Sequence, residues 1–148
     1  MKFSIQKQIR FHHCDPAGIV FYPQYFFLLH EVQEDFLAHL GHPQHELVGG
    51  GLGLPIVDLK TEFIGMCRYG DALNISLQLS RLGQASIGMH YEIHSYLSPF
   101  DKGLTLKLRA NTVVVCCELP QGKAVAIPPD LREALRPYLQ THEEAACS

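Results

Sequence analysis

Asp15 is the carboxylate of the run His13-Cys14-Asp15-Pro16-Ala17-Gly18, which leads into the aromatic stretch Phe21-Tyr22-Pro23-Gln24-Tyr25-Phe26-Phe27. Pro16 and Gly18 specify a turn, and Pro23 suits the first position of a helix, where a fixed φ fits and no N–H is needed. The helix is therefore expected to begin at about Tyr22 to Gln24. The first N–H groups of a helix have no intrahelical acceptor, and the aligned peptide dipoles place partial positive charge there. Such a terminus can hold an oxyanion beside a carboxylate able to attack or to deprotonate water. Burial would raise the Asp15 pKa from its usual value of about 3.9 and a helix N-terminus would lower it, so an ionised Asp15 is expected at neutral pH. The ordinary reading of the same residue is a turn acid or an N-terminal cap.

Neighbouring groups offer other chemistry. His12-His13-Cys14-Asp15 has metal-ligand residue types, but adjacent strand residues point to opposite faces and no distant ligand pair is evident, so no metal is expected. Cys14 with His13 as base is a thiol alternative, against which a free cysteine is usually a small core residue. His30 and Glu31 on the helix read as a structural pair or a contact between copies. Gly49 to Gly53 reads as a plain loop, with a mobile lip over a pocket as the alternative. Arg68, Arg81, Lys107 and Arg109 read as scattered, exposed cations.

These groups need a scaffold, and the hydrophobic pattern supplies one. Phe3, Ile5, Ile9 and Phe11 alternate with polar residues as a half-buried strand. The stripe Tyr25, Phe26, Leu28, Leu29, Val32, Phe36, Leu37 and Leu40 makes a helix buried on most of its circumference, with Gly41 as its stop. The glycines and Pro55 of segment 49–55 exclude regular structure. Val57, Leu59, Thr61 and Phe63 form one face of a second strand. Leu73 to Leu82 alternates with one wet face, followed by Ile87 to Ile93 and, after a turn at Ser98 to Gly103, by Leu104 to Thr112, which together make a meander. Val113 to Cys117 reads as covered on both faces. A return strand is expected over Lys123 to Ile127. Pro128-Pro129-Asp130 then opens a C-terminal helix with Leu131, Leu135 and Leu139 on one stripe, and Thr141 to Ser148 reads as a frayed tail. One long apolar helix with one antiparallel sheet is an α+β domain.

The chain of 148 residues, 47% hydrophobic, suits a single domain over residues 1–148. A formal net charge of −3 with 12 Lys and Arg argues against nucleic acid as the main partner. Lys2, Lys7 and Arg10 interrupt the start where a leader would be apolar, and Pro16, Gly18 and Pro23 break the most apolar stretch well short of a membrane span. Five cysteines without a CxxC pair read as reduced thiols, and the expectation is a cytoplasmic protein without a membrane segment.

The string Asp15-Pro16-Ala17-Gly18-Ile19-Val20-Phe21-Tyr22-Pro23-Gln24-Tyr25, with Arg68-Tyr69-Gly70-Asp71-Ala72-Leu73 later, resembles the hotdog-fold acyl-CoA thioesterases of the 4-hydroxybenzoyl-CoA thioesterase type. The resemblance runs from about residue 3 to 140. It implies a hotdog fold, with an antiparallel sheet of five or six strands wrapped around the long helix and a short C-terminal helix. It implies a thioester hydrolase with Asp15 as nucleophile or general base and the Tyr22 N–H polarising the carbonyl. His13, Gly18, Tyr25 and His30 would contact an acyl-CoA substrate, no cofactor is required, and a homodimer or homotetramer follows. Family members selective for a hydroxylated aromatic acyl group carry an acid where His30 stands, which argues against 4-hydroxybenzoyl-CoA itself. The alternatives are a non-catalytic acyl-CoA or acyl-carrier binding module of the same fold and, for want of its motif, more remotely a hydratase.

Overall fold

The computed structural model describes residues 1–96 and 103–141. Its elements are β1 (Phe3–Gln8), α1 (Pro23–His39), α2 (Gln44–Gly49), β2 (Leu52–Gly53), β3 (Ile56–Phe63), β4 (Ala72–Leu82), β5 (Ser86–Tyr96), β6 (Leu104–Val115), β7 (Cys117–Glu118), β8 (Lys123–Ala124) and α3 (Pro129–Leu135). Short 3-10 turns occupy Phe11–His13 and Arg136–Tyr138. The main sheet is antiparallel with the order β1-β4-β5-β6-β3, and β2-β7-β8 form a small second sheet. The expected meander is β4-β5-β6, and the α+β expectation holds.

Strict alternation places Leu73, Ile75, Leu77 and Leu79 on the inner face of β4, all fully buried. In register, Ile75 meets Ile93, Leu77 meets Tyr91 and Leu79 meets Met89, so each inner row of β4 continues into β5. Against this face lies α1. It starts at Pro23 as expected and ends where Gly41 takes φ +83°, with Gly41 N–H donating to Ala38 O and His42 N–H to Leu37 O. That pair of bonds satisfies carbonyls which the helix leaves open. Phe36 is central to the packing: it is fully buried, its ring lying 5.4 Å from that of Phe3 and 4.9 Å from that of Tyr138. Phe36→Ala should cost about 3–5 kcal/mol, because the site is walled by two other rings and cannot collapse fully. Urea unfolding reads this as a lower midpoint at unchanged slope; a loss under about 1 kcal/mol would show that Phe36 does not join the sheet to the C-terminal turn.

Several expectations need correction. Phe11 is 84% exposed, because the chain leaves the strand after Gln8 and tightens into the 3-10 turn, which rotates Phe11 off the core face. The loop expected over 49–55 is irregular only in part: α2 (Gln44–Gly49) ends at Gly49, and Leu52 and Gly53 pair with Glu118 and Cys117. Within the single chain α1 is buried along one side only, leaving Phe27 64% exposed. The Val57-to-Phe63 face of β3 is likewise uncovered apart from half-buried Thr61, since β3 is the edge of the sheet. The wet face of β4 is dry at its middle, where Ser76 and Gln78 are buried; Gln140 donates its N–H to Leu79 O and brings its amide to Gln78. Leu139 is not on a helix stripe but bridges to Leu79, and the return strand shrinks to Lys123–Ala124. The Ser98 turn and the tail beyond Thr141 lie outside the described residues. Among the described residues, no helix is long and apolar enough to cross a membrane.

Candidate active site

β1 hands the chain to the Asp15 turn under tight restraint. Ile9 N–H donates to Asp71 O and Gly70 N–H to Ile9 O, each at 2.9 Å, which ties the end of β1 to the turn before β4. Past the 3-10 turn the chain doubles back: Asp15 N–H donates to Ile19 O at 3.0 Å, Phe21 N–H to His13 O at 2.9 Å, and Cys14 bridges Val20. Gly18 makes the reversal possible with φ +80°, a conformation that L side chains rarely adopt. The Asp15 carboxylate, half-buried, accepts the Ala17 N–H on Oδ1 at 2.8 Å. That is the turn-forming role of an aspartate, and it engages one oxygen only. Among the described residues Oδ2 has no donor.

The start of α1 shows which backbone donor is free. Val20 N–H goes to Cys67 O, Phe21 N–H to His13 O, Gln24 N–H to Phe21 O and Tyr25 N–H to Tyr22 O, while Pro23 has none. The Tyr22 N–H alone in this run has no acceptor among the described residues. Tyr22 itself is the N-cap, with φ −54° and ψ −33°, and its side chain is exposed beside Phe21 and Phe63. An unpaired N–H at the positive end of a long helix is preorganised for negative charge.

The remaining expected site residues are distributed differently. Gly18 sits on the exposed turn with open space around it. Tyr25 is turned inward, 5% exposed, and its hydroxyl accepts the Cys67 N–H at 3.3 Å, so burial and that thiol hold the phenol protonated. His30 lies farther along α1, 3.9 Å from Glu34 rather than paired with Glu31. It lines a cavity of about 40 Å³ with Phe26, Leu29, Gln33, Tyr91 and Thr112. The sequence reading missed Gln33, Tyr91 and Thr112; a Gln on the apolar stripe and a Tyr and Thr in inner-face register were the available signals. The Thr112 hydroxyl is buried beside Tyr91.

His13 is buried, and Arg10 N–H donates to its Nδ1 at 2.8 Å, so the neutral ring carries its proton on Nε2. Because residues 11–13 form a 3-10 turn and not a strand, the His12 and His13 rings do meet, at 4.0 Å. Among the described residues no group of three or more His, Cys, Asp or Glu is arranged to hold a metal ion. Burial and the charges of His12 and Arg10 lower the His13 pKa below its ordinary 6.5, against the pull of Glu31. The unfolded chain therefore binds this proton more readily, so the His13 contribution to stability is full above about pH 6.5 and fades as pH falls toward the folded value. His13→Asn keeps an acceptor at the δ position without titrating there. It should flatten the fall of the urea midpoint below about pH 6.5; an unchanged slope would show that His13 protonation does not load the turn.

Comparison with known proteins gives a consistent pattern. The model of a family described as the thioesterase-like superfamily matches residues 9–135. A 1,4-dihydroxy-2-naphthoyl-CoA hydrolase of Synechocystis sp. is 28% identical over 90% of this chain and 94% of its own. A 4-hydroxybenzoyl-CoA thioesterase of Pseudomonas sp. is 26% identical over 88% of this chain and 94% of its own. The crystal structure of an Asp-to-Asn mutant of 4-hydroxybenzoyl-CoA thioesterase, complexed with 4-hydroxybenzoyl-CoA, superposes with a TM-score of 0.81 at 26% identity, covering 90% of this chain and 98% of that one.

Proposed function

The chain belongs to the thioesterase-like superfamily and has the hotdog fold of its thioester hydrolases, and on that premise we propose that it hydrolyses acyl-CoA thioesters with Asp15 and the Tyr22 N–H as its working groups. The single observation that carries the assignment of groups is the unpaired Tyr22 N–H at the head of α1, on the segment that folds back beside the Asp15 turn. A thioester carbonyl oxygen accepting that N–H gains stabilisation as it becomes an oxyanion. The free Oδ2 of Asp15 then has two routes. It adds to the carbonyl carbon, expelling CoA thiolate and leaving a mixed anhydride that water cleaves; or it takes a proton from a water molecule that adds directly. In both routes the products are the free acid and CoA, with no cofactor required.

The acyl group is assigned to the side of α1 carrying Phe26, His30 and Gln33. The cavity there has room for about one water in the isolated chain, so a second surface must frame an acyl group. A second copy supplies that surface in this reading. The uncovered apolar residues Phe27, Ile56, Val57, Leu59 and Phe63 form a band along α1 and edge strand β3, the kind of surface that pairs with another chain. Sedimentation at the mass of a dimer or tetramer is expected, and a monomer at micromolar concentration would remove the shared pocket.

Thiol release from a panel of aromatic, short-chain and long-chain acyl-CoA esters tests the activity. Release from at least one class, absent without protein, is the expected result. Tight binding of the same esters with no release would support the non-catalytic binding module instead.

A further inference from the structure

The groove beside the Asp15 turn has the features of a nucleotide site. It measures about 480 Å³ and is lined by Gln8, Ile9, Arg10, Phe11, His12, Tyr69 and Gly70. Its rim is aromatic at a cost, with Phe11 84% and Tyr69 66% exposed. The two rings meet edge to face, centroids 6.2 Å apart at 84°, an arrangement that leaves a flat ring face open to a planar ligand. The backbone beneath is fixed by the reciprocal bonds between Ile9, Gly70 and Asp71.

The arginines point to the same place. Arg81 donates to Ser86 Oγ at 2.8 Å, and Arg132 donates to Gly83 O and Gln84 O at 2.6 and 3.1 Å, so the guanidinium groups around the β4–β5 turn are occupied. Arg109 faces Glu62 and Glu92, and Arg136 faces Glu133. Of the arginines, Arg10 and Arg68 alone have no side-chain partner among the described residues; Arg10 lines the groove, and Arg68 is exposed next to the lining residue Tyr69 in the chain. Of the nearby carboxylates, Asp71 has Oδ2 taken up by the Arg68 N–H and Asp15 has Oδ1 taken up by the Ala17 N–H.

We infer that this groove holds the adenosine phosphate end of coenzyme A, with the base on the Phe11–Tyr69 pair and the phosphates on Arg10 and Arg68. The inference rests on the acyl-CoA reading above and extends it to where the nucleotide sits. Aromatic stacking of a base and guanidinium pairing with phosphate supply the recognition. Phe11 lies so close to Asp15 in the chain that the pantetheine arm must fold back on itself to span them.

The test compares kcat/KM for an acyl-CoA and for the matching acyl-pantetheine thioester, alongside the Kd of CoA itself at low salt. The parent protein should favour the CoA ester by about 10- to 100-fold, mostly through KM. Arg10→Ala with Arg68→Ala should bring the ratio near one and weaken CoA binding to match; Phe11→Ala with Tyr69→Ala should do so in part. A ratio and a CoA Kd unchanged in both double variants overturn the inference while leaving the thioesterase reading intact. A fall in assembly mass for Phe11→Ala with Tyr69→Ala, at an unchanged ratio, also overturns it and assigns the ring pair to a contact between copies. If the parent cleaves neither thioester, the acyl-CoA reading fails on its own; CoA binding then decides the groove, which stands if the parent binds CoA and the variants do not, and falls if the parent binds none.

Discussion

Asp15→Asn should leave the fold intact and lower kcat for acyl-CoA hydrolysis by about 10²–10⁴-fold. The separation of the two effects follows from the atoms involved. Asn retains a carbonyl oxygen at the Oδ1 position, where Ala17 N–H donates at 2.8 Å, and asparagine supports the same local turn. Gly18 and the pairing of residues 13–15 with 19–21 are unaffected, so the unfolding free energy from urea titration should change by no more than about 0.5 kcal/mol. What the variant loses is the second, unengaged oxygen with its charge: an amide neither attacks a thioester nor accepts a proton from water. KM should change little, because no substrate contact other than the reacting one is removed. Turnover within a factor of a few of the parent, in a protein of parental stability, would take Asp15 out of the chemistry and leave it a turn residue.

The second large effect is carried by an N–H, not by a side chain. Tyr22→Pro removes the one donor at the head of α1 that has no acceptor, and little else in the backbone. Its φ of −54° lies inside the range that proline enforces, and no hydrogen bond is lost because none is made among the described residues. Loss of a single oxyanion donor costs about 10²–10³ in kcat, or roughly 2.7–4 kcal/mol. Tyr22→Ala deletes the exposed ring but keeps the amide, and should retain kcat within about tenfold. The account predicts that order, Pro far below Ala; equal values for the two would place the oxyanion elsewhere. Circular dichroism and the urea midpoint confirm that α1 still forms in both.

The elements that carry these two groups were legible in the sequence for definite reasons. Pro23 and Gly41 bracket α1 because one fixes φ and the other takes positive φ, and neither depends on the rest of the fold. The rows of β4, β5 and β6 are visible because their inner face is predominantly apolar. Elsewhere, tertiary context decided. Phe11 keeps the strand period yet leaves the core, because the chain quits β1 at Gln8 and tightens into the 3-10 turn. Ser76 and Gln78 look solvated by pattern and are dry because the distant Leu139–Gln140 segment pairs alongside them. The apolar band on β3 and α1 stays exposed within one chain against its own alternation. At the site, residue types and spacing led to Asp15 and to the Tyr22 amide. That Arg132 is engaged by the Gly83 and Gln84 carbonyls, and the Tyr25 hydroxyl by the Cys67 N–H, could be read only from partners far away in sequence.

The Asp15 carboxylate and the Tyr22 N–H should address one carbonyl group, which a crystal structure of Asp15→Asn with an intact acyl-CoA ester would display. The carbonyl oxygen should lie about 2.7–3.1 Å from the Tyr22 nitrogen, with the carbonyl carbon about 3–3.5 Å from the residue 15 side chain or from a single water held by it. A thioester bound with its carbonyl pointed away from the head of α1, or beyond the reach of residue 15 and any water it holds, would contradict the account.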